Sequence, residues 1–118
     1  MSPNPITESK VNAERNLRWK NLISQIVEGD ENALSQLYDE SIKLTYSLAM
    51  QVVSNTSEAE EVALDVYKYV WSNAGNYDPE RSNPATWLVM LTRSRSIDKL
   101  RSRSIPIMLS NTFEEELG

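Results

Sequence analysis

The spacing of apolar and small residues in the middle of the chain is the feature that most limits its fold. Between residues 31 and 53 these residues recur at intervals of three and four: Leu34, Leu37, Tyr38, Ser41, Thr45, Leu48 and Val52. This spacing matches the turn of an α-helix, whereas a half-buried strand would alternate every two residues. No strand pattern longer than a few residues is found in the sequence. The sequence therefore predicts an all-α fold.

Capping signals delimit the first two helices. Residues 1–11 contain early prolines and polar residues and are predicted to be disordered. An apolar pattern over residues 16–27 ends at Gly29, which suits the left-handed position after a helix. Asp30 is a good N-cap for the second helix, predicted over residues 31–53.

The third and fourth helices are predicted from a capping box and an Asn-Pro pair. Ser57 with Glu60 three residues later predicts the start of the third helix, which runs to about residue 73. Asn83 and Pro84 predict the N-cap and first turn of the fourth helix. That helix is expected to run to about residue 103.

The predicted elements form a compact bundle of three to four helices in one domain, over residues 12–104. Ile105-Pro106 is expected to end the last helix, because proline cannot continue the hydrogen-bond ladder. Residues 105–118 are expected to form a linker or tail.

Missing residue types narrow the possible chemistry. The chain contains no cysteine and no histidine, so it has no thiolate nucleophile and lacks the commonest general base and metal ligand. No metal or cofactor is expected. An enzyme that uses Glu60, Glu61 or Asp65 is the remaining catalytic option, but these residues fit a cap and a helix face, so a non-enzymatic role is preferred. No apolar run approaches the ~20 residues of a membrane span, and a cytoplasmic protein is expected.

Charge is distributed unevenly along the chain. The net charge is −5, yet residues 28–80 carry eleven acidic and two basic side chains, and residues 81–103 carry six basic and one acidic. This asymmetry predicts two surfaces with different partners. The alternative is that the charges cluster on solvated helix faces.

The third helix has more than one apolar side. Its core side is predicted to contain Ala59, Val62, Val66, Tyr69 and Val70. Leu64, Tyr67 and Trp71 lie outside that side, next to an acidic row formed by Glu58, Glu61 and Asp65 with Lys68. Such a set is typical of a protein-binding patch, and packing beneath the N-terminal helix is the open alternative.

The fourth helix carries a basic stripe, Arg95, Lys99 and Arg103, at intervals of four residues. Thr92 and Ser96 lie in the same sector, and the opposite side is apolar: Val89, Met90, Leu91, Ile97 and Leu100. A basic stripe with hydroxyl residues suits phosphate contacts. The preceding loop adds aromatic and amide groups that can stack on unpaired bases and hydrogen-bond to them.

Five sequence pieces in order resemble domain 2 of the extracytoplasmic-function (ECF) group of sigma-70 family sigma factors. They are Gly29-Asp30; Ala33 and Leu37-Tyr38 with Tyr46 to Ala49; AEEVALDVYKYVW from Ala59 to Trp71; Tyr77 to Pro79 with Trp87-Leu88; and the Arg93 to Arg101 segment. The resemblance covers about 80 residues. It implies a transcription initiation factor that binds the β′ clamp helices of core RNA polymerase and recognises and helps melt the promoter minus-ten element.

The resemblance also implies the site residues. The expected polymerase contacts are Glu58, Glu61, Leu64, Asp65, Tyr67, Lys68 and Trp71. The expected contacts to single-stranded non-template DNA are Tyr77, Arg81, Ser82, Asn83, Thr86, Trp87, Arg93, Arg95, Ser96, Lys99 and Arg103. An anti-sigma factor is an expected further partner, and residues 105–118 would lead toward an absent region 4 domain. The alternative is a protein–protein interaction module without intrinsic DNA binding.

Overall fold

Four helices and one short 3-10 turn make up the computed structural model, which describes the backbone of residues 5–117 and the side chains of residues 9–103. The helices are α1 (Pro5–Val27), α2 (Glu31–Val53), α3 (Thr56–Asn73) and α4 (Pro84–Leu117), and the 3-10 turn Ala74–Asn76 follows α3. The described backbone contains no strand. The predicted all-α bundle is therefore confirmed.

All four helices contribute apolar side chains to one core, α1 to α3 through stripes and α4 through Leu88. The buried apolar residues of this core cluster are Trp19, Leu22, Ile23 and Ile26 from α1, Ala33, Leu37, Ala49 and Val53 from α2, Ala59, Val62, Val66 and Val70 from α3, Ala74 from the 3-10 turn, and Leu88 from α4. The indole N–H of Trp19 donates to Glu40 Oε1 at 3.2 Å, so its polar atom is satisfied at the edge of the core.

The turn between α1 and α2 forms as the sequence predicts. Gly29 adopts a left-handed backbone with φ of 88°, which glycine tolerates because it has no Cβ. Asp30 caps α2, and its Oδ1 accepts from the backbone N–H of Asn32 at 2.9 Å and of Ala33 at 3.2 Å. Two of the four unpaired donors at this helix end are thereby satisfied.

The cap of α3 differs from the predicted capping box. Asn55, not Ser57, is the N-cap, and its Oδ1 accepts from the backbone N–H of Glu58 at 2.9 Å. Asn is at least as good an N-cap as Ser. Asn55 and Glu58 have the same three-residue spacing as Ser57 and Glu60, and they lie two residues earlier in the chain. The helix therefore starts at Thr56, which makes Ser57 a first-turn residue.

Replacing Asn55 by alanine is expected to lower the free energy of unfolding by about 1 kcal/mol, because the Glu58 amide loses its acceptor. Ser57→Ala is the matched control and should change stability by no more than about 0.5 kcal/mol. Urea unfolding followed by circular dichroism measures both. A larger loss for Ser57→Ala would restore the predicted capping box.

Both ends of the bundle are more helical than the sequence predicts. Residues 1–4 of the predicted disordered segment lie outside the described residues, and α1 begins at Pro5. Proline suits the first helical position, where its missing N–H would be unpaired in any case. α4 continues through Ile105-Pro106 to Leu117. One proline removes a single backbone hydrogen bond, and residues 107–117 contain no glycine to break the helix further.

None of the helices, as far as the structure describes them, is both long and apolar enough to cross a membrane.

Candidate nucleic-acid and protein interfaces

The loop that joins the 3-10 turn to α4 is held by its own polar groups. Asp78 Oδ1 accepts from the Glu80 amide at 2.9 Å, and the Asp78 carbonyl accepts from the Arg81 amide at 3.1 Å. The Tyr77 hydroxyl donates to the Ser82 carbonyl at 2.9 Å. Desolvation by burial, with a smaller contribution from the Asp78 carboxylate, raises the pKa of Tyr77. The hydroxyl therefore stays a donor at neutral pH, and it ties the two ends of the loop together.

The loop ends at the cap of α4, as the sequence predicts. Asn83 Oδ1 accepts from the Thr86 amide at 2.8 Å, and the Asn83 carbonyl accepts from the Trp87 amide at 3.0 Å. Asn83 and Thr86 are exposed, and Trp87 is half-buried. The Trp87 and Tyr77 rings pack with their centroids 5.2 Å apart. One indole edge is thus fixed against the loop.

A cavity of about 360 Å³ lies between this loop and the start of α4; we call it the loop cavity. It is lined by Asn76, Asp78, Arg81, Ser82, Trp87 and Met90. Its volume falls in the ordinary range for small-ligand sites, about 300–1,000 Å³. Amide, carboxylate, hydroxyl and guanidinium groups surround one aromatic face, a combination that can stack on a planar ring and hydrogen-bond to its edge. Of the predicted contacts in this segment, Arg81, Ser82 and Trp87 line the cavity, whereas Tyr77, Asn83 and Thr86 do not.

Asn76, Asp78 and Met90 line this cavity but were absent from the predicted contacts. Asp78 organises the loop through its side chain, and the Asp-Pro sequence after Tyr77 is a turn signal that pointed to such a role. Met90 was assigned to the apolar side of α4, yet its side chain is 60% exposed. Only the tertiary arrangement reveals that it lies outside the core.

The faces of α4 differ from the predicted ones. Leu88, Thr92 and Ser96 are fully buried, while Met90 and Ile97 are exposed. Thr92 Oγ1 donates to the Leu88 carbonyl at 2.7 Å, and Ser96 Oγ donates to the Thr92 carbonyl at 2.7 Å. Since each hydroxyl is satisfied within its own helix, these small residues can face the core at little cost. Ser96, a predicted DNA contact, is therefore a packing residue that is inaccessible to DNA in this structure.

The basic stripe of α4 pairs with α3, although the side chains of Lys99 and Arg103 stay 31% and 42% exposed. Lys99 Nζ forms an ion pair with Glu61 Oε2. Arg103 Nε donates to both Glu58 carboxylate oxygens, at 2.9 Å and 2.7 Å, and Arg103 Nη2 donates to the Val53 carbonyl at 2.6 Å. The two predicted surfaces thus share charges: residues expected to contact DNA neutralise residues expected to contact polymerase.

The first member of the stripe, Arg95, is held by an aromatic ring. Its guanidinium carbon lies 4.9 Å from the centroid of the Tyr69 ring, in a cation–π arrangement. Tyr69 was predicted to be a core residue, and it is half-buried beneath this arginine. The Tyr69 hydroxyl also accepts from Asn76 Nδ2 at 3.4 Å. α3 therefore supports both the start of the stripe and one wall of the loop cavity.

Acid should weaken the link between α3 and α4. The hydrogen bonds from Arg103 hold the pKa of Glu58 below its ordinary value of 4.5. A carboxylate with a lowered folded-state pKa stabilises the fold above its unfolded pKa, and that contribution is lost as the pH falls through the folded value. We therefore expect the melting temperature to fall on acidification below about pH 4.5, and to fall less steeply in Glu58→Gln.

The matched control for this pH dependence is Glu60→Gln, since Glu60 is exposed and forms no ion pair among the described side chains. Thermal unfolding from pH 7 to pH 3 compares the two variants with the wild type. If Glu58→Gln and the wild type lost stability in parallel, the Glu58–Arg103 pair would not be the acid-sensitive link.

The outward side of α3 carries a smaller patch than the sequence predicts. Leu64 is 56% exposed and Trp71 is 38% exposed, and Asp65 and Lys68 are exposed beside them. We call these four residues the α3 outer face. Next to it, Leu64 lines an α2–α3 cavity with Tyr38, Ile42, Tyr46, Glu60 and Ala63. A large apolar side chain and an indole among charged groups are typical of a protein-contact surface.

Tyr67, a predicted polymerase contact, belongs to the core instead. It is 5% exposed, and its hydroxyl lies 2.7 Å from Ser41 Oγ and 3.0 Å from Thr45 Oγ1. Burial raises its pKa, so the hydroxyl stays protonated within this network. Ala63, Val66 and Val70 are buried on the same side of α3, which places Tyr67 within the core stripe. The predicted patch therefore loses its central ring.

A family model described as "Sigma-70 region 2" matches residues 37–105, more than half of the chain. The chain is 36% identical over 81 residues to the "ECF RNA polymerase sigma factor SigK" of Mycobacterium sp. (strain KMS), covering 69% of this chain and 42% of that protein. It is 35% identical over 81 residues to the protein of that name from Mycolicibacterium vanbaalenii, covering 69% and 41%. The chain thus spans less than half the length of these relatives.

Proposed function

Because the chain belongs to the sigma-70 region 2 family, we propose that it is the module of an ECF-type bacterial transcription initiation factor that binds core RNA polymerase and recognises the promoter minus-ten element. It acts in the cytoplasm, and it works by binding rather than by covalent chemistry. The binding energy offsets the cost of unstacking, a few kcal/mol for a flipped base.

The loop cavity is the observation that carries this proposal. A base of the non-template strand enters beside the Trp87 ring, and Asn76, Arg81 and Ser82 surround its edge. Asn83 and Thr86 lie at the N-terminus of α4, where backbone amides favour a phosphate. The Tyr77–Ser82 hydrogen bond keeps the loop in the receptive shape before DNA arrives, which lowers the ordering cost of binding.

The polymerase surface is proposed to be the α3 outer face. Leu64 and Trp71 supply the apolar contact, and Asp65 supplies a carboxylate for the basic clamp helices of the β′ subunit. Glu58 and Glu61 add negative charge to this surface while they stay paired with Arg103 and Lys99. An anti-sigma factor would compete for the same exposed apolar groups.

The protein–protein interaction module without intrinsic DNA binding is the second candidate. The pairing of Lys99 and Arg103 with carboxylates favours it, because these cations are already neutralised. It predicts a domain that binds polymerase or another protein but not single-stranded DNA.

One experiment separates the two functions. A library of labelled single-stranded minus-ten oligonucleotides is mixed with the chain and core RNA polymerase, and binding is measured at 50 and 200 mM salt against polymerase alone and a scrambled control. Selective enrichment of one short sequence supports base capture. Polymerase binding without any selective gain in oligonucleotide affinity would leave only the interaction module.

A further inference from the structure

The side chain of Tyr69 lies between the loop cavity and the basic stripe of α4. Its hydroxyl accepts from Asn76 Nδ2 at 3.4 Å, and the Arg95 guanidinium carbon lies 4.9 Å from the centroid of its ring. Tyr69 is half-buried, lies outside the core cluster and does not line the loop cavity. Its effect on a base in that cavity therefore has to pass through Asn76, which does line it.

The side-chain amide of Asn76 has a donor end and an acceptor end of nearly the same shape. Without a fixed partner, either end could face the cavity. Among residues 9–103 this side chain forms one hydrogen bond, from Nδ2 to the Tyr69 hydroxyl. Because that bond holds the NH₂ end toward α3, Oδ1 is the end that stays free for a ligand. Tyr69 thus makes Asn76 a hydrogen-bond acceptor toward the cavity.

The Tyr69 hydroxyl is itself held from two sides. The Arg95 guanidinium is attracted to the face of the ring, and the hydrogen bond from Asn76 holds its tip. Arg95 is half-buried and forms no ion pair within residues 9–103, so the ring contact is the interaction that positions it. An arginine predicted to contact DNA therefore also fixes the ring that orients the wall of the cavity.

Asp78 adds a second acceptor to the lining of the cavity. One of its oxygens accepts from the Glu80 amide at 2.9 Å, and a carboxylate can accept more than one hydrogen bond. Cytosine N4 and adenine N6 are amino donors, whereas thymine O4 and guanine O6 are acceptors. Two acceptors in the wall therefore attract the first two bases and repel the carbonyl oxygen of the other two. Arg81, also in the lining, can donate to the unprotonated ring nitrogen beside the amino group.

We propose that Tyr69 is a positioning residue that makes the loop cavity selective for cytosine or adenine over thymine and guanine. It acts by holding the Asn76 amide with its oxygen toward the amino group of the captured base. The proposal rests on the proposed function, since a base must first enter the loop cavity. It deepens that function by naming the chemical class of base that the cavity takes.

Tyr69→Phe tests the positioning role, because phenylalanine keeps a ring beneath Arg95 and removes only the hydroxyl. A selected minus-ten oligonucleotide is prepared with each of the four bases at the captured position, and binding to the chain with core polymerase is measured by anisotropy. The captured position is the one at which base removal weakens binding to the wild type but not to Trp87→Ala. We expect the wild type to prefer cytosine or adenine over thymine by about tenfold. Tyr69→Phe should reduce that ratio to about threefold or less.

Tyr46→Phe is the matched control, since Tyr46 is also half-buried and has no contact with the loop cavity. It removes the same hydroxyl from α2 and should leave the tenfold base preference unchanged. Circular dichroism of both variants shows whether the bundle is retained. A ratio of affinities for two bases is insensitive to a uniform loss of folded protein, so a purely structural effect would not move it.

Rescue by Asn76→Asp tests the route from Tyr69 to the base. Both oxygens of a carboxylate are acceptors, so an aspartate needs no hydroxyl to present the correct end. The double variant Tyr69→Phe with Asn76→Asp should therefore regain a preference of about tenfold for cytosine or adenine, even where its total affinity for DNA is lower.

The outcomes separate this inference from the proposed function. A wild-type preference for thymine or guanine, an unchanged preference in Tyr69→Phe, or failure of the aspartate rescue would each overturn the role of Tyr69 and leave base capture in place. No effect of base removal and no selectivity at any position in the wild type would overturn the proposed DNA recognition itself.

Discussion

Replacing Leu88 by alanine is expected to lower the free energy of unfolding by about 2–5 kcal/mol, a large part of the stability of a small domain. Leu88 is completely buried, and it is the α4 member of the core cluster. Its removal leaves a cavity that the surrounding helices can fill only in part. Equilibrium urea unfolding followed by circular dichroism gives the free energy directly.

Met90→Ala is the matched control for Leu88→Ala, because Met90 lies two residues further along the same helix and is 60% exposed. Its effect should stay within about 0.5 kcal/mol. Similar losses for both variants would mean that the first turns of α4 are packed differently from the structure. The sequence places both residues in or beside apolar runs, so this comparison depends on the tertiary arrangement alone.

Replacing Trp87 by alanine is expected to weaken selective minus-ten oligonucleotide binding by about 10- to 100-fold. One base–aromatic stack contributes about 1–3 kcal/mol, a factor of about 5 to 150, and the expected loss lies within this range. Trp87→Phe keeps an aromatic face and should stay within about threefold of the wild type. Binding is measured by anisotropy with the chain and core polymerase, at a fixed salt concentration because the phosphate contribution depends on salt.

Trp71→Ala is the control that separates the two surfaces, since Trp71 is 38% exposed on the α3 outer face. It should reduce binding to core polymerase and leave the base preference of the assembled complex unchanged. If Trp71→Ala altered the base preference and Trp87→Ala did not, the proposed assignment of the two faces would have to be exchanged.

Much of the fold was predictable because its helix ends are determined by hydrogen bonds between residues that are close in sequence. Gly29, Asp30 and Asn83 each act through backbone groups within three residues, and the structure confirms their predicted positions. The capping box failed because two Asn/Ser-x-x-Glu patterns overlap, and sequence spacing cannot choose between Asn55 and Ser57. The turn-forming residues of the sequence also predicted correctly the loop that precedes α4 and Trp87.

The helix faces were less predictable because hydrophobicity is a poor guide to small hydroxyl residues. Thr92 and Ser96 look polar in sequence, yet each satisfies its hydroxyl on the carbonyl four residues earlier and can then be buried. Tyr67 similarly finds Ser41 and Thr45. Once these residues turn inward, Met90 and Ile97 must turn outward. Apolar periodicity predicts that a segment is helical, but contacts with the other helices determine which of its faces is buried.

Pairing between α3 and α4 was beyond the reach of the sequence. Glu58 and Arg103 are 45 residues apart, and Glu61 and Lys99 are 38 residues apart. The charge blocks predicted two separate surfaces, one acidic and one basic. The packing of the two helices instead places part of each block against the other, so only some of those charges face outward.

Arg103 joins parts of the chain that would otherwise open separately. Its guanidinium holds the Val53 carbonyl at the end of α2 and the Glu58 carboxylate in the first turn of α3, on either side of Ser54, whose backbone is left-handed with φ of 52°. Fraying of α4 at this point therefore also releases the corner between α2 and α3. Amide protons near residues 53–58 and 99–103 should then exchange with deuterium as a single cooperative unit, at a rate below that of independently fraying helix ends.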